Sequence, residues 1–167
     1  ERNRLRANVE FLDELLNVMA SAVGSLSNPT RLSNTFQSVK GVKIKNETIS
    51  SYLDCFIDAY ILSKSYRYDI KGRSYIDTPL KYYFTDIGLR NVRLNFRQQE
   101  ENHIMENILY NELVARGFNV DVGVVEYNQI DDKGKKIRTQ LEVDFVVNQT
   151  DKRYYIQSAL TVADEEK

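Results

Sequence analysis

The chain has 167 residues, 42% of them hydrophobic, which is enough to bury one substantial core or two small ones. No apolar run reaches the 18 or more residues of a membrane-spanning helix, and the opening ERNRLRANVE lacks the apolar segment of a signal peptide, so a cytoplasmic location is expected. The formal net charge of −1 conceals a division: residues 27–99 hold 12 Lys/Arg against 6 Asp/Glu (+6), and residues 100–167 hold 8 against 14 (−6). The positive excess of the first segment permits contact with nucleic acid. The single cysteine, Cys55, excludes an internal disulfide. Set among Leu53, Phe56 and Ile57, it reads as a small buried hydrophobe. No GxxxxGK[ST] loop occurs, so this chain does not hold ATP by a P-loop.

From Leu5 to about Ala22, Val9, Phe11, Leu12, Leu15, Leu16, Val18 and Met19 recur at helical spacing, and Gly24-Ser25 breaks the pattern. In SNPTRLSNTFQSVKG, Asn28 suits an N-cap and Pro29 the first turn of a second helix. That helix would bury Leu32, Phe36 and Val39 and end near Gly41. A third helix starts after Asn46, with Ile49, Leu53, Phe56 and Tyr60 on one face. The stretch ILSKSYRYDIKGRSYIDTPLKYYFTD, with a turn at Asp69-Ile70-Lys71-Gly72, reads as a β-hairpin.

Three helices followed by a hairpin describe a winged helix-turn-helix over residues 1–90. Such modules place the third helix in the major groove and the hairpin tip on a phosphate backbone. The candidate nucleic-acid contacts are then Lys43, Lys45, Asn46 and Thr48 at the start of the third helix, with Lys71 and Arg73 at the tip. Glu47, Asp54 and Asp58 on the same helix would repel phosphates. DNA contact and the docking of protein partners or a second copy therefore both stay open.

ENHIMENILYNELVARG reads as a helix closed by Gly117, with Ile104, Met105, Ile108, Leu109 and Leu113 as its core stripe and Glu106 at the stripe's edge. Glu106 is either a partly enclosed carboxylate that needs a partner or metal, or a surface residue turned to solvent. His103, one turn earlier, is a helix-start polar residue on the plain reading and a metal ligand or general base on the other. Phe118, Val120, Val122 and Val124 then alternate along a strand, and a charged turn follows. In LEVDFVV, Leu141, Val143, Phe145 and Val147 share one face, and Glu142, Asp144 and Val146 the other. In RYYIQSAL, Tyr155, Gln157 and Ala159 lie on one face.

A helix carboxylate followed by a hairpin that carries an aspartate and then an ExK-type position resembles the PD-(D/E)XK nuclease fold. The resemblance implies a restriction-endonuclease-like domain over residues 91–167, incomplete at its C-terminus, and an α+β chain with a mixed sheet. Matched residue by residue, Glu106 stands for the helix glutamate, Asp144 for the motif aspartate and Gln157 for the ExK glutamate. These three are the candidate catalytic and metal-binding residues. Ala159 stands where the lysine belongs, and Lys152 or Arg153 could supply the missing cation. Mg²⁺ or Mn²⁺ would be the metal, held by oxygen ligands and activating water.

The whole chain, through VGSLSNPTRLSNTFQS, ISSYLDCFIDAYILSKSYRYDIKGRSYIDTPLKYYFTDIGLRN, HIMENILYNELVARGFNVDVG and EVDFVV…YYIQSAL, resembles the C-terminal half of a prokaryotic family of predicted AAA-type ATPases. That resemblance covers roughly residues 4–165 and implies an N-terminal ATPase domain, where ATP would bind, absent from this chain. It also implies a further helix and strand beyond ADEEK. Loss of the motif lysine is common in that family. Three functions follow: a nucleic-acid-engaging or regulatory module with a degenerate nuclease-like domain, an active metal-dependent nuclease, or a protein-interaction platform.

Overall fold

A computed structural model of the chain describes residues 2–97, 100–130 and 136–161, with side chains from residue 9 onward except that of residue 136. The charged turn at 131–135 and the end of the chain at ADEEK, with the expectation attached to it, lie outside those residues. The described elements run α1 (Arg2–Ser21), α2 (Pro29–Lys40), α3 (Asn46–Asp58), β1 (Leu62–Asp69), β2 (Ser74–Phe84), α4 (Ile87–Arg93), α5 (Glu101–Ala115), β3 (Asn119–Ile130), β4 (Lys136–Gln149) and β5 (Lys152–Ile156). The fold is α+β, with five helices and one mixed sheet of strand order β2-β1-β3-β4-β5 among the described residues.

Local chemistry sets the first elements. Asn28 Oδ1 accepts a 2.7 Å hydrogen bond from Arg31 N, which caps α2, and Gly41 closes the helix at φ 68°. Ile49, Leu53 and Phe56 form the buried face of α3. Cys55 lies off that face and is exposed, which corrects its expected burial. Tyr60 leaves the helix at φ 56° and is exposed, and so is Val39 on α2. The short α4 has no counterpart in the sequence reading; Asp86 Oδ1 caps it by accepting from Gly88 N and Leu89 N.

The hairpin joins the second half of the chain rather than standing apart from it. β1 pairs in parallel with β3, Arg67–Asp69 against Val122–Val124, and Ile70 N donates to Val124 O at 2.9 Å. One hydrophobic cluster contains Leu15, Ile49 and Leu53 from the early helices, Tyr83 and Phe84 from β2, and Tyr110, Val120, Phe145 and Val147 from later elements. Residue 90, the expected boundary, lies within α4.

Two features decide where the later side chains point. The buried residues of α5 are Glu106, Asn107 and Tyr110, whereas Ile108 of the expected stripe is exposed. The reason is the edge of β2: Asn107 accepts from Phe84 N at 2.8 Å and donates to Phe84 O at 2.7 Å, so its amide substitutes for a neighbouring strand. The second feature is a β-bulge in β4. Asp121 pairs with Val146 and Gly123 with Val143, so Val122 alone opposes both Asp144 and Phe145. Directly paired residues share a face. Phe145 and Val147 pack with Tyr110 in the core, and Glu142 also reaches the α5 side, whereas Val143 and Val146 face the other way beside Gly123. The unbroken alternation expected along LEVDFVV is corrected by that one extra residue.

Gly123 fits its place tightly, since a Cβ there would lie 2.7 Å from Val146 Cγ2 and 2.9 Å from Val143 Cβ. Gly123→Ala is expected to lower stability by about 1–3 kcal/mol through overpacking. An unchanged urea midpoint would contradict the packing described for this side of the sheet.

Candidate functional site

The centre of the site is a buried ammonium group. Lys81, on β2, is 3% exposed, and its Nζ lies 2.8 Å from Glu106 Oε1 and 2.6 Å from Glu142 Oε1. Tyr83, two residues along the same strand face, donates its hydroxyl to the same Glu106 oxygen at 2.6 Å. Gly24, at φ 70°, closes the remaining side; a Cβ there would stand 3.4 Å from the Glu106 carboxylate. Burial would lower the pKa of Lys81, but the two carboxylates outweigh it and the net shift is upward. Burial and the Glu106 charge together push the Tyr83 phenol far up, so it stays a donor.

Beside this cluster a groove of about 460 Å³ is lined by Asn102, His103, Glu106, Asp144, Gln157 and Ala159, among others. The sequence-derived trio of Glu106, Asp144 and Gln157 is therefore gathered at one groove, with Ala159 at its wall. Asp144 is tied down: its Oδ2 accepts from Ser158 N at 2.7 Å and Ser158 Oγ at 2.6 Å. β5 ends at Ile156, so Gln157, Ser158 and Ala159 all line the groove instead of alternating across a sheet. Gln157 Oε1 accepts a long, 3.4 Å bond from Asp144 N. His103 Nε2 lies 3.3 Å from Glu100 Oε2.

A Mg²⁺ or Mn²⁺ ion needs several oxygen donors turned to one point. Glu106 and Glu142 are instead turned to Lys81, and Asp144 is turned to Ser158. Among the described residues no three His, Cys, Asp or Glu side chains are grouped to hold an ion. In this arrangement Glu106 Oε1, Glu142 Oε1 and Asp144 Oδ2 each serve a partner inside the protein. The cation at the site is one that sequence reasoning missed. Its signal was a lysine inside the apolar strand LKYYF, a position where an unpaired charge is costly. The expected stand-ins are elsewhere: Lys152 is exposed, and Arg153 binds Asn148 Oδ1 at 2.8 Å and lies over the Tyr68 ring.

Of the candidate nucleic-acid contacts, Lys43, Lys45 and Thr48 are exposed around the start of α3, along with Glu47, Asp54 and Asp58. Asn46 Nδ2 donates to Thr30 Oγ1 at 3.0 Å and so ties α3 to α2. At the hairpin tip Arg73 is exposed, while Lys71 Nζ donates to Glu126 O at 3.1 Å and is engaged with β3.

Fold and site together define an α+β protein with an internally neutralised acidic cluster beside a polar groove. Residues 3–100 match the family model described as "Domain of unknown function (DUF8612)", and the chain belongs to that family. The chain is 34% identical over 155 residues to a protein of Haemophilus influenzae described as "Uncharacterized protein"; the match covers 93% of the chain and 35% of that protein. It is 31% identical over 120 residues to a Methanocaldococcus jannaschii protein described as "Uncharacterized protein MJ1544", over 71% of the chain and 25% of that protein. The chain thus spans about a third and a quarter of the relatives it matches. No solved structure matches it. Among the described residues no helix is long and apolar enough to cross a membrane.

Replacing Lys81 by Met leaves Glu106 buried without its counter-charge and is expected to cost about 3–5 kcal/mol. Adding Glu106→Gln should recover part of that loss, a non-additivity that a double-mutant cycle reads directly. The pH sign follows from the raised pKa of Lys81. The pair's contribution is present in full below the ordinary lysine value of 10.5 and is lost as pH rises through the higher folded-state value. The stability gap between wild type and Lys81→Met should therefore hold steady at neutral pH and narrow in strong alkali. A gap that is constant to the highest pH at which the chain folds would refute the ion-pair account.

Proposed function

We propose that the chain is a nucleic-acid-engaging, regulatory module of a longer cytoplasmic protein of the AAA-type ATPase kind. In this reading a winged helix-turn-helix leads into a PD-(D/E)XK-like domain that retains the nuclease scaffold without cleaving. The observation that carries it is the clasp of Lys81 between Glu106 and Glu142, with Asp144 held by Ser158. The acids that would gather a metal are turned to partners inside the protein, and Ala159 offers a phosphate nothing. The limited share of each relative that the chain spans supports its being one module of a longer protein. Lys43 and Lys45, exposed before α3, support contact with a phosphate backbone.

The alternative of an active nuclease makes opposite predictions for the same assay. Plasmid, single-stranded DNA and RNA are incubated with Mg²⁺ or Mn²⁺ and either the wild type or Asp144→Ala. The module reading expects the two proteins to be indistinguishable, and cleavage that Asp144→Ala abolishes would sink it. Duplex binding should be present in the wild type and weaken steeply as salt rises, because each neutralised phosphate releases a counterion.

A further inference from the structure

The side of the sheet facing away from α5 carries a second, unrelated constellation. Tyr68 pairs directly with Tyr75, Asp121 with Val146, Val146 with Tyr155, and Asn148 with Arg153, so these side chains share one face across the sheet. A groove of about 840 Å³ opens at the edge of that face, lined by Tyr66, Tyr68, Tyr75 and Arg153, by the carboxylates Asp77 and Asp121, and on one flank by Tyr110 and Val114 of α5. The Tyr75 ring meets Tyr68 edge-on at 5.4 Å and Tyr66 at 6.3 Å, and its hydroxyl donates to the buried Asp121 carboxylate at 3.1 Å. That bond fixes the ring while leaving Tyr75 60% exposed; Tyr66 is 41% exposed. Two cations lie against the same rings: the Arg153 guanidinium is 4.9 Å from the Tyr68 centroid, and Lys64 Nζ is 5.6 Å from that of Tyr66.

An ordinary apolar docking partner suits this groove poorly. It would cover Asn119, Asn148 and Arg153 without offering them hydrogen bonds. A duplex suits it no better, because duplex bases hide their faces in their own stack. Oriented aromatic rings flanked by cations and amides, with Asp121 engaged by the Tyr75 hydroxyl and Asp77 also in the lining, match unstacked bases joined by phosphates. We propose that this tyrosine face binds single-stranded nucleic acid, with bases on Tyr66 and Tyr75 and phosphates beside Arg153 and Lys64. The inference rests on the reading that the chain engages nucleic acid and assigns it a second surface, apart from the start of α3.

The test uses fluorescence anisotropy of the full chain with two labelled probes, a single strand of about a dozen nucleotides and a duplex of equal length. Tyr66→Ala and Tyr75→Ala should each weaken single-strand binding on the order of tenfold and leave duplex binding unchanged. Tyr75→Phe, which keeps the ring and loses the Asp121 bond, should retain the affinity. The double variant Lys43→Ala/Lys45→Ala should show the reverse selectivity and weaken the duplex. Tyrosine variants that bind the single strand as tightly as wild type, while duplex binding persists, overturn this inference alone. So does a Tyr75→Phe loss as large as that of Tyr75→Ala. Failure of wild type to bind either probe overturns both this inference and the proposed function, and leaves the face to a protein partner.

Discussion

The ion pair of Lys81 and Glu106 is the contact on which the geometry of the rest depends. Removing two charges from water costs several kcal/mol per ion unless attraction and hydrogen bonds offset it. Here the offset is built from three elements at once. β2 supplies Lys81 and Tyr83, α5 supplies Glu106, and β4 adds Glu142 from a more exposed position. Neither β2 nor α5 can shift without stranding a buried charge. Asn107, the residue after Glu106, locks the same turn of α5 to the backbone of Phe84. The helix is thus positioned by polar chemistry, and its apolar residues adapt to that position.

The sheet consequently has two sides of different character. On the α5 side, charge is paired and held under cover, with the groove beside Asp144 and Gln157 open to small solutes. On the other side, phenol rings with cations laid across them reach solvent. β1 connects the two, because it carries Tyr66 and Tyr68 outward while its partner β2 carries Lys81 and Tyr83 inward. A substitution meant to probe one side is best placed on residues whose direct pair partners lie on that side.

Local signals were easy to read in the sequence, and long-range ones were not. The capped start of α2, its glycine stop and the turn at Asp69–Gly72 each rest on side chains acting within a few residues, and all stand where expected. The burial of α5 did not follow its apolar spacing, because the partner that mattered was an unpaired strand edge more than twenty positions away. The role of Lys81 is hidden in the sequence for a related reason. A lysine in a strand looks like a solvated residue until the elements bearing its two carboxylates are folded against it. Glu106, Asp144 and Gln157 were legible as a group through their order along the chain. Their engagement with Lys81, Ser158 and the Asp144 amide was not, since order says nothing about which way an acid turns.

The bulge in β4 has a consequence for reading related sequences. Side-chain alternation in a strand behaves like a two-letter reading frame, and the second residue opposite Val122 is a frameshift within it. Upstream of that point even-numbered positions face α5; downstream the odd-numbered ones do. A relative aligned by its apolar rhythm alone would slide by one place here, and its acid would be paired with a core position. Insertions and deletions between Val143 and Val146 therefore change which side of the sheet the acid occupies, even when every residue type is kept.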